Sequence, residues 1–229
     1  MFASESQMLE PVLGWLSRHT TTRKTEFPLP WGVCDVVGCE ANSEAVSRRT
    51  ALGQTSQIGD AFRVALWKLI PDESQRAGIS VGGLARKFRG TVSQDVIGKE
   101  LENLAKRRFV TRTKSGAYKS RNGWMPLQNK LIAVEMKLSR VRDALLQAEL
   151  NLAFTPYSYV AFPHDTALGL ATGPRRHDFD RLGVGLLAVN SSGCTELLCP
   201  SCDVGETDDV LQTYVVERFW PDIRKGTST

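Results

Sequence analysis

Residues 131–138 read Leu131-Ile132-Ala133-Val134-Glu135-Met136-Lys137-Leu138, an apolar run of strand length broken by one acid and one base. Strand side chains alternate between faces, so Glu135 and Lys137 share a face. A second such run lies far upstream in residues 25–38, Thr-Glu-Phe-Pro-Leu-Pro-Trp-Gly-Val-Cys-Asp-Val-Val-Gly, where Asp35 stands among apolar neighbours. Charges inside apolar strands are costly unless they are paired or used. The carboxylates of Asp35 and Glu135 are hard oxygen donors of the kind that suits Mg²⁺ or Mn²⁺. A lysine beside them can orient an attacking water or offset charge developing on a phosphate. The plainer alternative is that Glu135 is a structural ion-pair partner of Lys137 or Arg140.

Outward from this run the pattern continues. Residues 140–153 have helical character, 157–163 form a further apolar strand, and 183–189 with 195–198 form a last strand pair. Upstream, residues 4–18 place Met8, Leu9, Val12, Leu13 and Leu16 on one helical face, with Pro11 expected to kink that helix or delay its start. Asp35, Glu135-Met136-Lys137 and this order of helix, three strands, helix and strand resemble the PD-(D/E)XK nuclease superfamily. The resemblance implies an α/β fold: a restriction-endonuclease-like mixed sheet flanked by helices. It implies Asp35 and Glu135 as metal ligands, Mg²⁺ or Mn²⁺ as cofactor, and Lys137 as a catalytic residue. Branches of the superfamily also carry a glutamate on the first helix and a glutamine on the helix after the lysine. Glu5, with Glu10 as its rival, and Gln147 match those positions. Two features depart from the pattern: Cys34 precedes Asp35 where proline is usual, and about a hundred residues separate Asp35 from Glu135.

That long separation holds most of the basic charge. Between Asp60 and Arg121 there are fourteen Lys or Arg against six Asp or Glu, a net +8. The whole chain is +4, which leaves −4 for the remainder. Such asymmetry points to a module that meets a polyanion. Phe62, Leu66, Leu69 and Ile70 mark a first helix over 60–70, ended by Pro71-Asp72. Ser80 caps a short helix with Leu84 and Phe88, closed by Gly90. A third helix starts near Ser93 and carries Val96, Ile97, Leu101 and Leu104. Residues 109–120 alternate on both sides of Lys114-Ser115-Gly116, as a hairpin does. Residues 80–120, SVGGLARKFRGTVSQDVIGKELENLAKRRFVTRTKSGAYKS, resemble winged helix-turn-helix DNA-binding domains. The resemblance implies that Thr91, Ser93, Gln94 and Lys99 approach bases or phosphates, with Lys114 and Lys119 on the wing. The expected organisation is a discontinuous nuclease-like domain, 1–55 and 125–229, with a winged helix inserted over 58–121.

Composition sets the outer limits. The chain is 41% apolar and 24% charged, which excludes a disordered polyelectrolyte and supports a packed core. It holds no run of about eighteen apolar residues, so no membrane partner is expected. Its start, Met1-Phe2-Ala3-Ser4, lacks a secretory signal pattern, and five cysteines give no disulfide framework; a cytoplasmic protein is expected. Cys199-Pro200-Ser201-Cys202, with Cys194 before it, leaves a zinc site undecided against incidental thiols. His164 and His177 are expected in a loop, and 208–225 as one covering helix. Metal-dependent hydrolysis of DNA phosphodiesters is the expected activity, the alternative being a catalytically silent DNA-binding or regulatory subunit. The expected partners are DNA and either a second copy of the chain or a larger DNA-processing complex.

Overall fold

The computed structural model describes residues 2–121, 125–202 and 206–226; the expected domain limits at residues 1 and 229 lie outside them. In chain order a 3-10 turn over Glu5–Met8 leads into α1 (Leu9–Leu16), β1 (Thr22–Leu29), β2 (Gly32–Ala41), α2 (Ser43–Ala51), α3 (Ala61–Lys68), α4 (Val81–Lys87) and α5 (Gln94–Lys106). There follow β3 (Val110–Arg112), β4 (Tyr118–Ser120), β5 (Gln128–Met136), α6 (Val141–Asn151), β6 (Ser158–Pro163), α7 (His164–Thr172) and α8 (Arg176–Leu182). The chain ends with β7 (Gly185–Asn190), β8 (Gly193–Leu198), α9 (Asp209–Glu217) and α10 (Trp220–Gly226). Two compact units result. One runs up to Ala41 and resumes over Gln128–Gln212, and the other holds Asn42–Leu127 and the chain from Thr213 onward.

The first unit is α/β, a mixed six-stranded sheet in the order β1-β2-β5-β6-β7-β8 flanked by helices. β1, β2 and β5 are antiparallel neighbours, β5, β6 and β7 are parallel, and β8 returns antiparallel to β7. A parallel neighbour requires a crossover, and α6 provides it between β5 and β6. Met8, Val12, Trp15 and Leu16 pack with Val36, Ile132, Val134 and Met136 on one face. On the other, α6, α7 and α8 bury Ala144, Leu145, Ala148, Leu170, Phe179 and Leu182 against Val160, Phe162, Leu186 and Ala188.

Three expectations for this unit change in detail. The N-terminal helix is divided, because Pro11 cannot donate to Gln7 and α-helical bonding starts only after the 3-10 turn. Lys137 lies one residue past the end of β5, although its amide still donates to Ala161 O at 3.1 Å. The expected loop around His164 and His177 is two helices, α7 and α8, separated only by Gly173-Pro174-Arg175. Ala167, Leu170, Phe179 and Leu182 supply the apolar faces that hold them to the sheet.

Within the second unit, residues 60–120 show the expected order of three helices and a two-stranded hairpin. Asp60, Ser80 and Ser93 cap α3, α4 and α5, their side chains accepting from Arg63, Gly83 and Val96 amides at 2.8, 3.1 and 3.4 Å. Arg89 and Gly90, at φ 51 and 74, turn the chain sharply between α4 and α5. β3 and β4 form a two-stranded sheet, tied to α3 by the Trp67 indole N–H, which donates to Ser120 Oγ at 3.0 Å. The buried residues of α3 are Val64, Leu66 and Trp67, with Phe62 and Leu69 only partly covered. Val96, expected in the core, is 44% exposed, while Ile97, Leu101 and Leu104 are buried.

Residues 42–55, 125–127 and 213–226, expected to belong with the sheet, fall in this second unit. A buried ion pair explains it. Arg49 Nη2 donates to Glu217 Oε2 at 2.9 Å, the Ile58 amide donates to the same oxygen at 2.6 Å, and the guanidinium lies 4.0 Å over the Trp220 ring. The expected single C-terminal helix is two, α9 and α10, because Pro221 cannot donate back to Glu217.

Candidate active site

Asp35 sits where the β1–β2 ladder is interrupted. Thr25 pairs with Val36 and Phe27 with Cys34, but Glu26 between them adopts φ 49, a left-handed conformation uncommon for a residue with a side chain. Burial along β1 switches parity there, from Thr22 and Lys24 to Phe27 and Leu29. On the other edge of β2, pairing with β5 ends at Val36 and Val134. Released from the ladder, Asp35 turns its side chain onto the end of β5. Its Oδ2 accepts from the Met136 amide at 2.6 Å and lies 3.5 Å from Lys137 Nζ. Strained backbone of this kind gathers at functional sites.

Lys137 is the hub. It is 6% exposed, and its ammonium donates to Met136 O at 3.0 Å besides meeting Asp35. Glu5, on the 3-10 turn, brings Oε2 to 3.9 Å from the same ammonium and Oε1 to 3.9 Å from Arg140 Nη2. The rival Glu10 instead lines a cleft of about 1090 Å³ beside Leu138, His164 and Asn190. Arg140 pairs with Glu5 and with Asp143, at 3.6 Å, so the alternative of an Arg140–Glu135 pair is not what forms.

Glu135 faces inward, toward α6, and is 2% exposed. Asn151 Nδ2 donates to its Oε1 at 2.7 Å, while Oε2 is buried without a partner. Burial pushes this carboxyl up to about 7, and the charge of Asp35 adds to the rise; the Asn151 and Cys34 hydrogen bonds and the Lys137 charge oppose it. Cys34 is pushed well above the usual thiol range, first by burial and then by Glu135. Gln147, one turn before Asn151, has its Oε1 buried and unpartnered. Sequence reasoning missed Asn151; a polar residue at a helix end carries no signal by itself.

The donor set fits a hard divalent ion in one respect. Two carboxylates, Asp35 and Glu135, stand on neighbouring strands where the β2–β5 pairing stops, and one buried oxygen, Glu135 Oε2, lacks a donor. Among the described residues no group of three or more His, Cys, Asp or Glu gathers, so most ligands of such an ion would come from water and substrate. The five cysteines are free, with Cys34, Cys39 and Cys194 buried and Cys199 and Cys202 exposed.

In the second unit Thr91, Ser93, Gln94, Lys99 and Lys114 are exposed, together with Arg86, Lys87 and Arg89 around the α4–α5 turn. The acids Asp95 and Glu102 are exposed on α5 as well. Two of the expected contacts are partly engaged: the Thr91 hydroxyl donates to Phe88 O at 2.6 Å, and Ser93 is the helix cap. Lys119 differs most. Its ammonium donates to Glu73 O, at 3.3 Å, and to Gln75 O, so it fastens the 73–75 loop. No family model matches the chain, and no curated protein or solved structure proves similar to it.

Proposed function

We propose that the chain hydrolyses DNA phosphodiesters with a divalent metal, using a restriction-endonuclease-like domain for cleavage and an inserted winged helix for DNA binding. The observation that carries this reading is the meeting of Asp35, within β2, and Lys137, just past β5, at 3.5 Å beside Glu135, although about a hundred residues separate them in sequence. Packing alone would not draw two charged side chains to the interrupted end of an apolar ladder. In this reading Asp35 and Glu135 hold the ion, which would supply positive charge at the scissile phosphate and acidify an attacking water. Lys137 orients that water and offsets charge on the phosphate, while the Met136 amide and Glu5 fix the orientations of Asp35 and Lys137. The exposed bases around the α4–α5 turn and Lys114 neutralise phosphates.

One observation favours a second reading, a catalytically silent DNA-binding subunit: Glu135 is almost wholly buried and holds its proton near neutrality. A single assay decides between them. Plasmid, duplex, single-stranded and branched DNA are incubated with the protein in Mg²⁺ or Mn²⁺ and in EDTA. Metal-dependent nicking that disappears in Lys137→Ala supports the nuclease; tight binding with no nicking of any substrate leaves only the silent subunit.

A further inference from the structure

The α6 helix presents two carboxamides one turn apart on one face, Gln147 and Asn151. Asn151 is its last residue and is 1% exposed. Its amide nitrogen donates to Glu135 Oε1 at 2.7 Å and lies 3.5 Å from Cys34 Sγ. Lys137, the nearest cation in sequence, is instead engaged with Asp35, Met136 O and Glu5. Asn151 therefore holds one oxygen of Glu135 in place from the end of α6. Three acceptor oxygens in this locality, Glu135 Oε2, Asn151 Oδ1 and Gln147 Oε1, are buried and accept from no donor. Buried acceptors without donors are unfavourable. A buried carboxylate oxygen without a donor is a group that a cation can satisfy.

We propose that Asn151 is a positioning residue for the metal centre, its amide saturating one oxygen of Glu135 so that the other is presented to a divalent cation. The inference rests on the metal-dependent reading above. It goes beyond that reading in assigning the end of α6 to the support of the ligand. Residues that orient metal ligands typically change affinity by about 10–100-fold when altered.

The test needs no turnover. Mn²⁺ is titrated calorimetrically into the full-length, metal-free wild type, Asn151→Leu and Asp35→Asn. The expected result is binding by the wild type, binding weakened at least about tenfold in Asn151→Leu, and loss in Asp35→Asn. In cleavage assays Asn151→Leu should need more Mn²⁺ for half-maximal rate yet approach the wild-type rate at saturation. A purely structural asparagine would lower the melting temperature and leave the Mn²⁺ affinity of the folded protein unchanged, which overturns the proposal. Should Asn151→Leu fail to fold, ¹⁵N-labelled wild type replaces it: the Asn151 side-chain amide resonance must move on addition of Mg²⁺, and its failure to move overturns the proposal. A wild type that binds no Mn²⁺ overturns this proposal and the metal reading together. A wild type that binds Mn²⁺ in an Asn151-dependent way but never cuts supports the proposal and refutes the nuclease alone.

Discussion

Glu135 is held between opposing influences: burial and the Asp35 charge raise its pKa to about 7, while the Asn151 amide and Lys137 resist. A carboxyl whose folded-state pKa exceeds its unfolded value of about 4.5 favours the folded state most below that value. Its contribution is lost as pH rises through about 7. The size is on the order of 3 kcal/mol for a shift of this extent. Metal-free wild type should therefore lose stability between about pH 4.5 and 7, and Glu135→Gln, which keeps the shape and the acceptor for Asn151, should not. Thermal melts in EDTA across that range check it; a difference between the two proteins that does not vary with pH would refute this assignment. At the same scale the site was legible in part. Asp35, Glu135 and Lys137 stand out because charge in an apolar strand is anomalous, and Glu5 because it extends an apolar stripe. Asn151 is ordinary in sequence and acquires meaning only through a 2.7 Å contact.

Elements were legible where their signals are local. Ser80 and Ser93 announce α4 and α5 because a cap needs only a side-chain oxygen and an amide three residues on. Replacing either serine by alanine should cost about 1 kcal/mol, read as a lower urea midpoint with an unchanged slope. The α7–α8 pair was hidden because Gly173, Pro174 and nearby arginines read as loop, while the apolar spacing that stabilises both helices is short. Least legible was the membership of α2 and α9, since Arg49 and Glu217 are 168 residues apart. Removing one partner of a buried pair strands the other. Arg49→Met should thus destabilise by roughly 3–5 kcal/mol, and Arg49→Met with Glu217→Leu by much less. A loss in the double variant equal to the sum of the losses in Arg49→Met and Glu217→Leu would show that the pair is not coupled.

At the scale of the whole chain, the basic charge and the cluster around Asp35 fall in different units. The +8 segment lies in one, and Asp35, Glu135 and Lys137 lie in the other. No helix among the described residues is long and apolar enough to cross a membrane. If phosphates are the partner of the basic unit, each neutralised exposed lysine releases about one fewer counterion and lowers the slope of log affinity against log salt by about one. Lys114 is exposed, so Lys114→Gln should reduce that slope equally on unrelated DNA sequences. Lys119 is bound to the 73–75 loop, so Lys119→Gln should act mainly on stability and leave the slope nearly unchanged. Variants of the other unit should show the opposite pattern. Lys137→Ala removes the cation beside Asp35, and several kcal/mol of barrier rise is enough to abolish detectable nicking. Its DNA affinity and salt slope should stay at wild-type values, because the exposed bases of the other unit are untouched. Fluorescence anisotropy across a salt series, paired with plasmid nicking in Mn²⁺, reads both quantities on the same proteins. A Lys137→Ala protein that loses affinity as steeply as it loses cleavage would mean that Lys137 is a binding residue, and the division of labour between the two units would fall.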